Sequence, residues 1–144
     1  MPQSHHSISL SQVLYTSSRL LIQQIQTVLK EFGLTYPQFL VMQILWEEDG
    51  LKVHELGTRL ALNSGTLTPL LKKLQSQNFL KRKRGGEDER TVRIHLTYPG
   101  KSLQSKVSAA IDRWEESLPL EVNEATSKLL PLSEDYLQKI KPIK

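Results

Sequence analysis

Apolar and polar positions change rhythm several times along the chain, and each rhythm predicts one element. Leu10, Leu14, Leu21, Ile25, Val28 and Phe32 recur near the helical period, so a long first helix is expected from Ile8 to Phe32, with Ser17-Ser18 leaving room for close packing. Gly33 is placed to end it as a left-handed residue just past the last turn. Thr35-Tyr36-Pro37-Gln38 then reads as a capping box with Pro37 at the first helical position, opening a buried helix over Phe39–Trp46. The acidic run Glu47-Glu48-Asp49 and Gly50 close that helix, and a solvated turn is expected there. Val53, Leu56 and Leu60 mark a short amphipathic helix, and Ala61-Leu62-Asn63 turns the chain.

The next helix is two-faced. Leu67, Leu70 or Leu71, and Leu74 fall on one side, while Ser64, Thr66, Thr68, Lys72, Lys73 and Gln75 fall on the other. Asn63 or Ser64 can cap it. Pro69 fits poorly, because a proline in a helix interior removes a backbone bond at a cost of roughly 3 kcal/mol. Either the helix starts late, with Thr66 as its cap, or it kinks. Beyond it the period changes to two: Val92, Ile94 and Leu96 point one way, and Thr91, Arg93 and His95 the other. Phe79–Arg84 precedes this run across a Gly85-Gly86 loop, which makes a β-hairpin.

Pro99-Gly100 opens a further helix striped by Leu103, Val107, Ala110, Ile111, Trp114 and Leu118 and stopped by Pro119. A last helical segment carries Val122, Ala125 and Leu129 and, past a break at Pro131, Tyr136, Leu137 and Ile140. The fold class is therefore mainly α with a small β-hairpin wing. It is a winged helix-turn-helix over residues 36–97 with helical arms at 8–32 and 99–142, all in one domain spanning 1–144. Each arm carries more apolar surface than one small winged module covers, so the arms are expected to join two copies into a homodimer.

Charge turns this architecture toward nucleic acid. The formal net charge is only +4, yet Lys72–Arg93 holds eight basic residues against Glu87, Asp88 and Glu89. Eight less three leaves +5 in that stretch and −1 elsewhere. An isolated basic run is usually a solvated face, but this one adjoins a helix-turn-helix, where phosphate is the better partner. Short hydrogen-bonding groups at the start of the second helix suit base edges, and the cations beyond them suit phosphates.

Other chemistry is poorly supported. The 144 residues contain no cysteine, which excludes disulfides and thiolate metal sites. Met1–Ser7 is polar, and His5-His6 has no third ligand at suitable spacing, so neither a metal nor another cofactor is expected. No nucleophile–base pair or phosphate-binding glycine loop marks an enzyme. No apolar run reaches membrane-span length and no signal-peptide pattern precedes the first helix, so no membrane partner is expected and the cytoplasm is the expected compartment. The alternative function is a winged module that binds protein, which would leave Lys81–Arg84 without a phosphate partner.

The order of elements, Asp88-Glu89-Arg90 at the wing tip, and Leu96-Thr97 ahead of Pro99-Gly100 resemble the MarR family of bacterial transcription regulators. Leu14-Tyr15-Thr16-Ser17-Ser18-Arg19, Leu34-Thr35-Tyr36-Pro37-Gln38, Ser64-Gly65-Thr66-Leu67-Thr68-Pro69 and Glu87-Asp88-Glu89-Arg90 are similar to its organic hydroperoxide resistance branch. The likeness runs from about Leu10 to Thr97. It implies a dimeric repressor on a pseudo-palindromic operator in double-stranded DNA, with the Ser64–Lys73 helix in the major groove. Arg90 would enter the minor groove, with Asp88 holding it. Ser64, Thr66, Thr68, Lys72, Lys73, Arg82, Arg84, Asp88, Arg90 and Arg93 are the expected DNA-facing residues.

The resemblance departs at the sensor. The branch's oxidisable cysteine aligns with Ser11, and its two tyrosines align with Tyr36 and Ile25. A serine hydroxyl cannot follow the thiol oxidation ladder, so thiol sensing is not expected. Two explanations stand: a natural member that senses something else, which Ile25 favours, or a replaced cysteine. A pocket near Ser11, Tyr15 and Tyr36 is the expected place for a small-molecule effector.

Overall fold

A computed structural model of the chain describes residues 5–85 and 91–143. Among these described residues six helices and three short strands follow in order: α1 (His6–Leu29), α2 (Tyr36–Glu47), β1 (Leu51–Lys52), α3 (Val53–Leu60), α4 (Ser64–Ser76), β2 (Leu80–Arg84), β3 (Val92–Leu96), α5 (Tyr98–Ser117) and α6 (Leu120–Lys139). A single 3-10 turn, Lys30–Phe32, follows α1. Two compact units are distinguished, residues 1–108 and 109–144.

In the first unit α2 is the central helix, with Phe39, Val41, Met42 and Leu45 all buried. Leu29, Leu56, Leu67, Leu71, Leu74, Ile94 and Val107 complete the core, each almost fully removed from water. Burying a leucine side chain is worth about 1.5–3 kcal/mol, so this cluster dominates the stability of the unit. Gly33 ends the first helical stretch at φ +69°, as its position predicts. The Thr35–Gln38 capping box is also present. Thr35 Oγ1 accepts from the Gln38 backbone N–H, and Gln38 Oε1 accepts from the Thr35 N–H. Tyr36 is already helical, so Pro37 stands second in α2 rather than first; its missing N–H still falls among the groups that need no helical partner.

The hairpin is one side of a three-stranded antiparallel sheet ordered β1-β3-β2. The two-residue β1, absent from the sequence expectation, pairs Leu51 with Ile94 and Lys52 with Arg93. No alternation can be read from two residues, which is why the pattern missed it. In the hairpin Leu80 pairs with Leu96, Arg82 with Ile94 and Arg84 with Val92. The alternation of β3 is as expected: Ile94 and Leu96 are buried and Arg93 is exposed.

The acidic turn is not merely solvated. Asp49 Oδ1 accepts from the backbone N–H of Leu96 at 2.8 Å and of Gly50 at 2.9 Å, pinning the end of β3. Glu48 pairs with Arg59 at 2.7 Å on the surface, a contact worth at most about 1 kcal/mol. Gly100, early in α5, is required by close approach. A Cβ there would stand 2.1 Å from the carbonyl oxygen of Phe79, and the Gly100 carbonyl accepts from Trp46 Nε1 at 2.9 Å. Thr97 fixes the start of α5, its hydroxyl accepting from the Gly100 N–H and donating to the Asn78 carbonyl.

In the second unit α6 runs unbroken from Leu120 to Lys139, so the break expected at Pro131 does not occur. Pro131 is exposed, and the carbonyl it leaves without a helical partner can turn to water. Asn123 Nδ2 donates to the Glu115 carbonyl across the bend between α5 and α6.

Candidate nucleic-acid interface

α3 and α4 form the helix-turn-helix. Ala61 adopts the left-handed conformation at φ 54° and turns the chain, and Asn63 caps α4 by accepting from the Thr66 N–H at 2.9 Å. The late start with Thr66 as cap is therefore wrong: α4 begins at Ser64 and carries Pro69 as its sixth residue. The lost bond belongs to the Gly65 carbonyl, and both Gly65 and Pro69 are exposed, so water can replace the missing N–H.

Leu67, Leu71 and Leu74 are buried along one side of α4, while Ser64, Thr66, Lys72 and Lys73 are exposed. At 100° per residue Gly65 and Pro69 form the crest opposite the buried leucines. Thr68 and Lys72 border that crest on one flank, and Thr66 and Lys73 border it on the other. The crest is thus compact and free of charge, with hydroxyls and cations on both sides.

Thr68 is half-buried. It lines an open groove of about 400 Å³ together with Lys52, Val53, His54, Arg82 and Val92. The structure so brings Thr68 of α4 and Arg82 of β2 to one concavity at the foot of the wing. Arg84 and Arg93 are exposed. Arg93 Nη1 donates to the Gly50 carbonyl at 3.0 Å, a contact that spacing along the chain does not reveal. Asp88 and Arg90 lie outside the described residues. A second groove, of about 500 Å³, runs between α3 and α4 past His54, Thr58 and Asn63.

The expected sensor residues lie apart from this face. Ser11 is exposed on α1 and its hydroxyl donates to the Ile8 carbonyl of its own helix. Tyr15 is 70% exposed, with Arg19 over its ring at 5.9 Å. Tyr36 is half-buried, its ring 6.5 Å from that of Phe39. Among the described residues no hydrogen bond joins the three. Sequence reasoning also missed Gln26, whose side chain donates to the Leu34 carbonyl at 2.9 Å and accepts from the Tyr36 N–H at 2.8 Å. Gln77, just past α4, donates to the Gly33 carbonyl at 2.6 Å. Among the described residues no cluster of histidine and carboxylate could hold a metal.

A two-helix reader with a buried apolar face, an exposed polar face and a basic sheet beside it defines a winged helix-turn-helix protein. Residues 23–107 match the family described as transcriptional regulator SarA/Rot, and the chain belongs to that family. Its members are transcription regulators, not enzymes. The chain is 46% identical over 94 residues to the organic hydroperoxide resistance transcriptional regulator of Bacillus subtilis, covering 65% of this chain and 64% of that one. It is 42% identical over 105 residues to the HTH-type transcriptional regulator SarZ of Staphylococcus epidermidis, covering 73% and 71%. A solved structure of reduced AbfR bound to DNA matches with a TM-score of 0.81 at 36% identity, over 96% of this chain and 98% of that one. The matched part is thus just under two thirds of the Bacillus regulator's length.

Proposed function

We propose that the chain is a homodimeric, sequence-specific DNA-binding repressor. The observation that carries this reading is α4. Its leucines are sealed into the core, its Ser64, Thr66, Lys72 and Lys73 side is open, and its Thr68 shares a groove with Arg82 of the wing. Membership of a transcription-regulator family and likeness to a protein solved on DNA support it. In this reading the Gly65–Pro69 crest of α4 enters the major groove, with Thr66 and Thr68 toward base edges and Lys72 and Lys73 toward phosphates. Arg90 reaches a narrow minor groove from the wing tip, held by Asp88. Arg82, Arg84 and Arg93 add phosphate contacts.

The dimer is proposed from unsatisfied apolar surface. Ile8, Val13, Leu20 and Leu21 of α1 are exposed, as are Leu129, Leu130, Leu132 and Leu137 of α6. Helices that leave so many large apolar side chains in water are normally covered in the working assembly. A two-fold axis between recognition helices then calls for a pseudo-palindromic operator. A small apolar or phenolic molecule near Ser11, Tyr15 and Tyr36 is the proposed effector, acting by favouring one dimer geometry over another.

Selection of duplexes from a random-sequence pool tests the reading. A symmetric consensus, bound with an affinity that falls steeply with salt, is expected because phosphate contacts release counterions. Weak, equal binding to every duplex would instead favour a protein-binding module.

A further inference from the structure

A pair of glutamines ties the end of α4 to the connection between α1 and α2. Two consecutive carbonyls of that connection each accept from a glutamine amide: Leu34 from Gln26 Nε2 at 2.9 Å, and Gly33 from Gln77 Nε2 at 2.6 Å. Gln26 belongs to α1 and also accepts from the Tyr36 N–H, so it fastens the connection to both α1 and the start of α2. Gln77, the first residue past α4, fastens the same connection to the recognition helix. Its Oε1 is buried and accepts no hydrogen bond from the described residues, so among them the Gly33 carbonyl is the side chain's one polar anchor. The next two residues are gripped by the start of α5. The Asn78 carbonyl accepts from the Thr97 hydroxyl at 2.6 Å, and the Phe79 carbonyl accepts from the Thr97 N–H at 3.1 Å. Residues 77–79 are therefore a joint at which α4 is hydrogen-bonded to the end of the α1 segment and to the beginning of α5.

We propose that Gln77 is a positioning residue: by holding the Gly33 carbonyl it sets the tilt of α4 against α1, and with it the spacing of half-sites that the dimer accepts. This rests on the dimeric DNA-binding reading above and assigns one residue to its geometry. Burial of Leu67, Leu71 and Leu74 secures α4 to the core, but apolar attraction is not directional. A hydrogen bond is directional and weakens steeply as it bends. The lever it controls is long. Gly65, on the exposed crest, precedes Gln77 by twelve positions, about 18 Å along the helix axis. A swing of about 10° at Gln77 moves Gly65 by about 3 Å, close to the base-pair step of about 3.4 Å. α1 supplies the other half of the coupling. It runs without a break from exposed Val13, Leu20 and Leu21, which the second copy is proposed to cover, to Gln26. A change in how two copies meet along α1 thus reaches α4 through Gln26, the Leu34 and Gly33 carbonyls, and Gln77. Gly33 is exposed, so water can take its carbonyl when Gln77 is replaced, and the contact governs geometry more than stability.

The test uses the whole protein and a series of duplexes in which the two selected half-sites are moved together or apart by one or two base pairs. Affinity at the selected spacing, divided by affinity at each altered spacing, is measured for the parent, Gln77→Met and Gln77→Lys. The parent should favour one spacing. Gln77→Met keeps the length of the side chain without the donor, and its preference should fall by about two- to tenfold, the worth of one hydrogen bond. Its base preference within a half-site and its melting temperature should stay close to the parent's. Gln77→Lys returns a donor within reach of the exposed carbonyl and should return the preference. An equal loss in Gln77→Lys would assign the effect to packing and overturn the proposal. A Gln77→Met chain with altered base preference would make Gln77 a base contact, and one that melts far below the parent would make it structural; either result refutes positioning. A parent with no preferred spacing would sink the dimer reading as well. A parent preference that Gln77→Met keeps in full would sink the role of Gln77 alone.

Discussion

Gln26 ties α1 to the start of α2 through the Leu34 carbonyl and the Tyr36 N–H, and both bonds are part-buried. Replacing Gln26 with Met keeps the length of the side chain and leaves both backbone groups unpaired. A loss of about 1–3 kcal/mol in chemical denaturation is expected, since each unpaired buried group costs its desolvation. An unchanged midpoint would show that water takes over both bonds. On α4, Thr68 and Lys73 should separate specificity from affinity. Thr68→Ala should change the base preference at one position of each half-site. Lys73→Ala should weaken all duplexes alike and flatten the salt slope by about one. Equal, sequence-independent losses from both would overturn the assignment. Ser11 marks a third position of interest. The chain has no thiol, so organic hydroperoxide should leave its DNA affinity unchanged, with release appearing only in Ser11→Cys. Peroxide-driven release of the unaltered chain would refute that account of Ser11.

The elements were legible in proportion to their length and regularity. The long periodic helices and the alternation of β3 follow directly from the positions of their apolar residues. Gly33 and the Thr35–Gln38 box announced their turns for local steric and hydrogen-bonding reasons. What escaped was non-local. β1 exists because Leu51 and Lys52 find β3 more than forty positions later, and Asp49 turns inward to the Leu96 N–H. Two proline expectations failed in the same direction, the late start of α4 and the break at Pro131. Pro69 and Pro131 both lie inside helices, where an exposed face lets water replace the bond each removes. Of the candidate site, the basic and hydroxyl residues of α4 and the wing were readable as a set. That Arg93 stands on the opposite side of the sheet from Arg82 and Arg84 required the strand register, in which Arg82 pairs with Ile94 and Arg93 with Lys83. Capping by Asn63 gives this scale its own test. Asn63→Ala should lower stability by about 1 kcal/mol and weaken specific DNA binding through fraying of the first turn of α4. An unchanged melting temperature would mean that Ser64 or water supplies the cap.

At the scale of the whole molecule, the exposed apolar side chains of α1 and of α6 are the feature that a single copy leaves unexplained. Covering them in a two-fold dimer would fix the distance between two α4 helices, and that distance is what an operator of defined spacing measures. An effector can then act without touching DNA, by changing the population of dimers with the right spacing. Hydroxyl-radical footprinting of the protein on its selected duplex tests this account most directly. It predicts two protected segments related by two-fold symmetry, with centres about one helical turn, 34–36 Å, apart. A single asymmetric protected segment, with one copy of the chain bound per duplex, would contradict it.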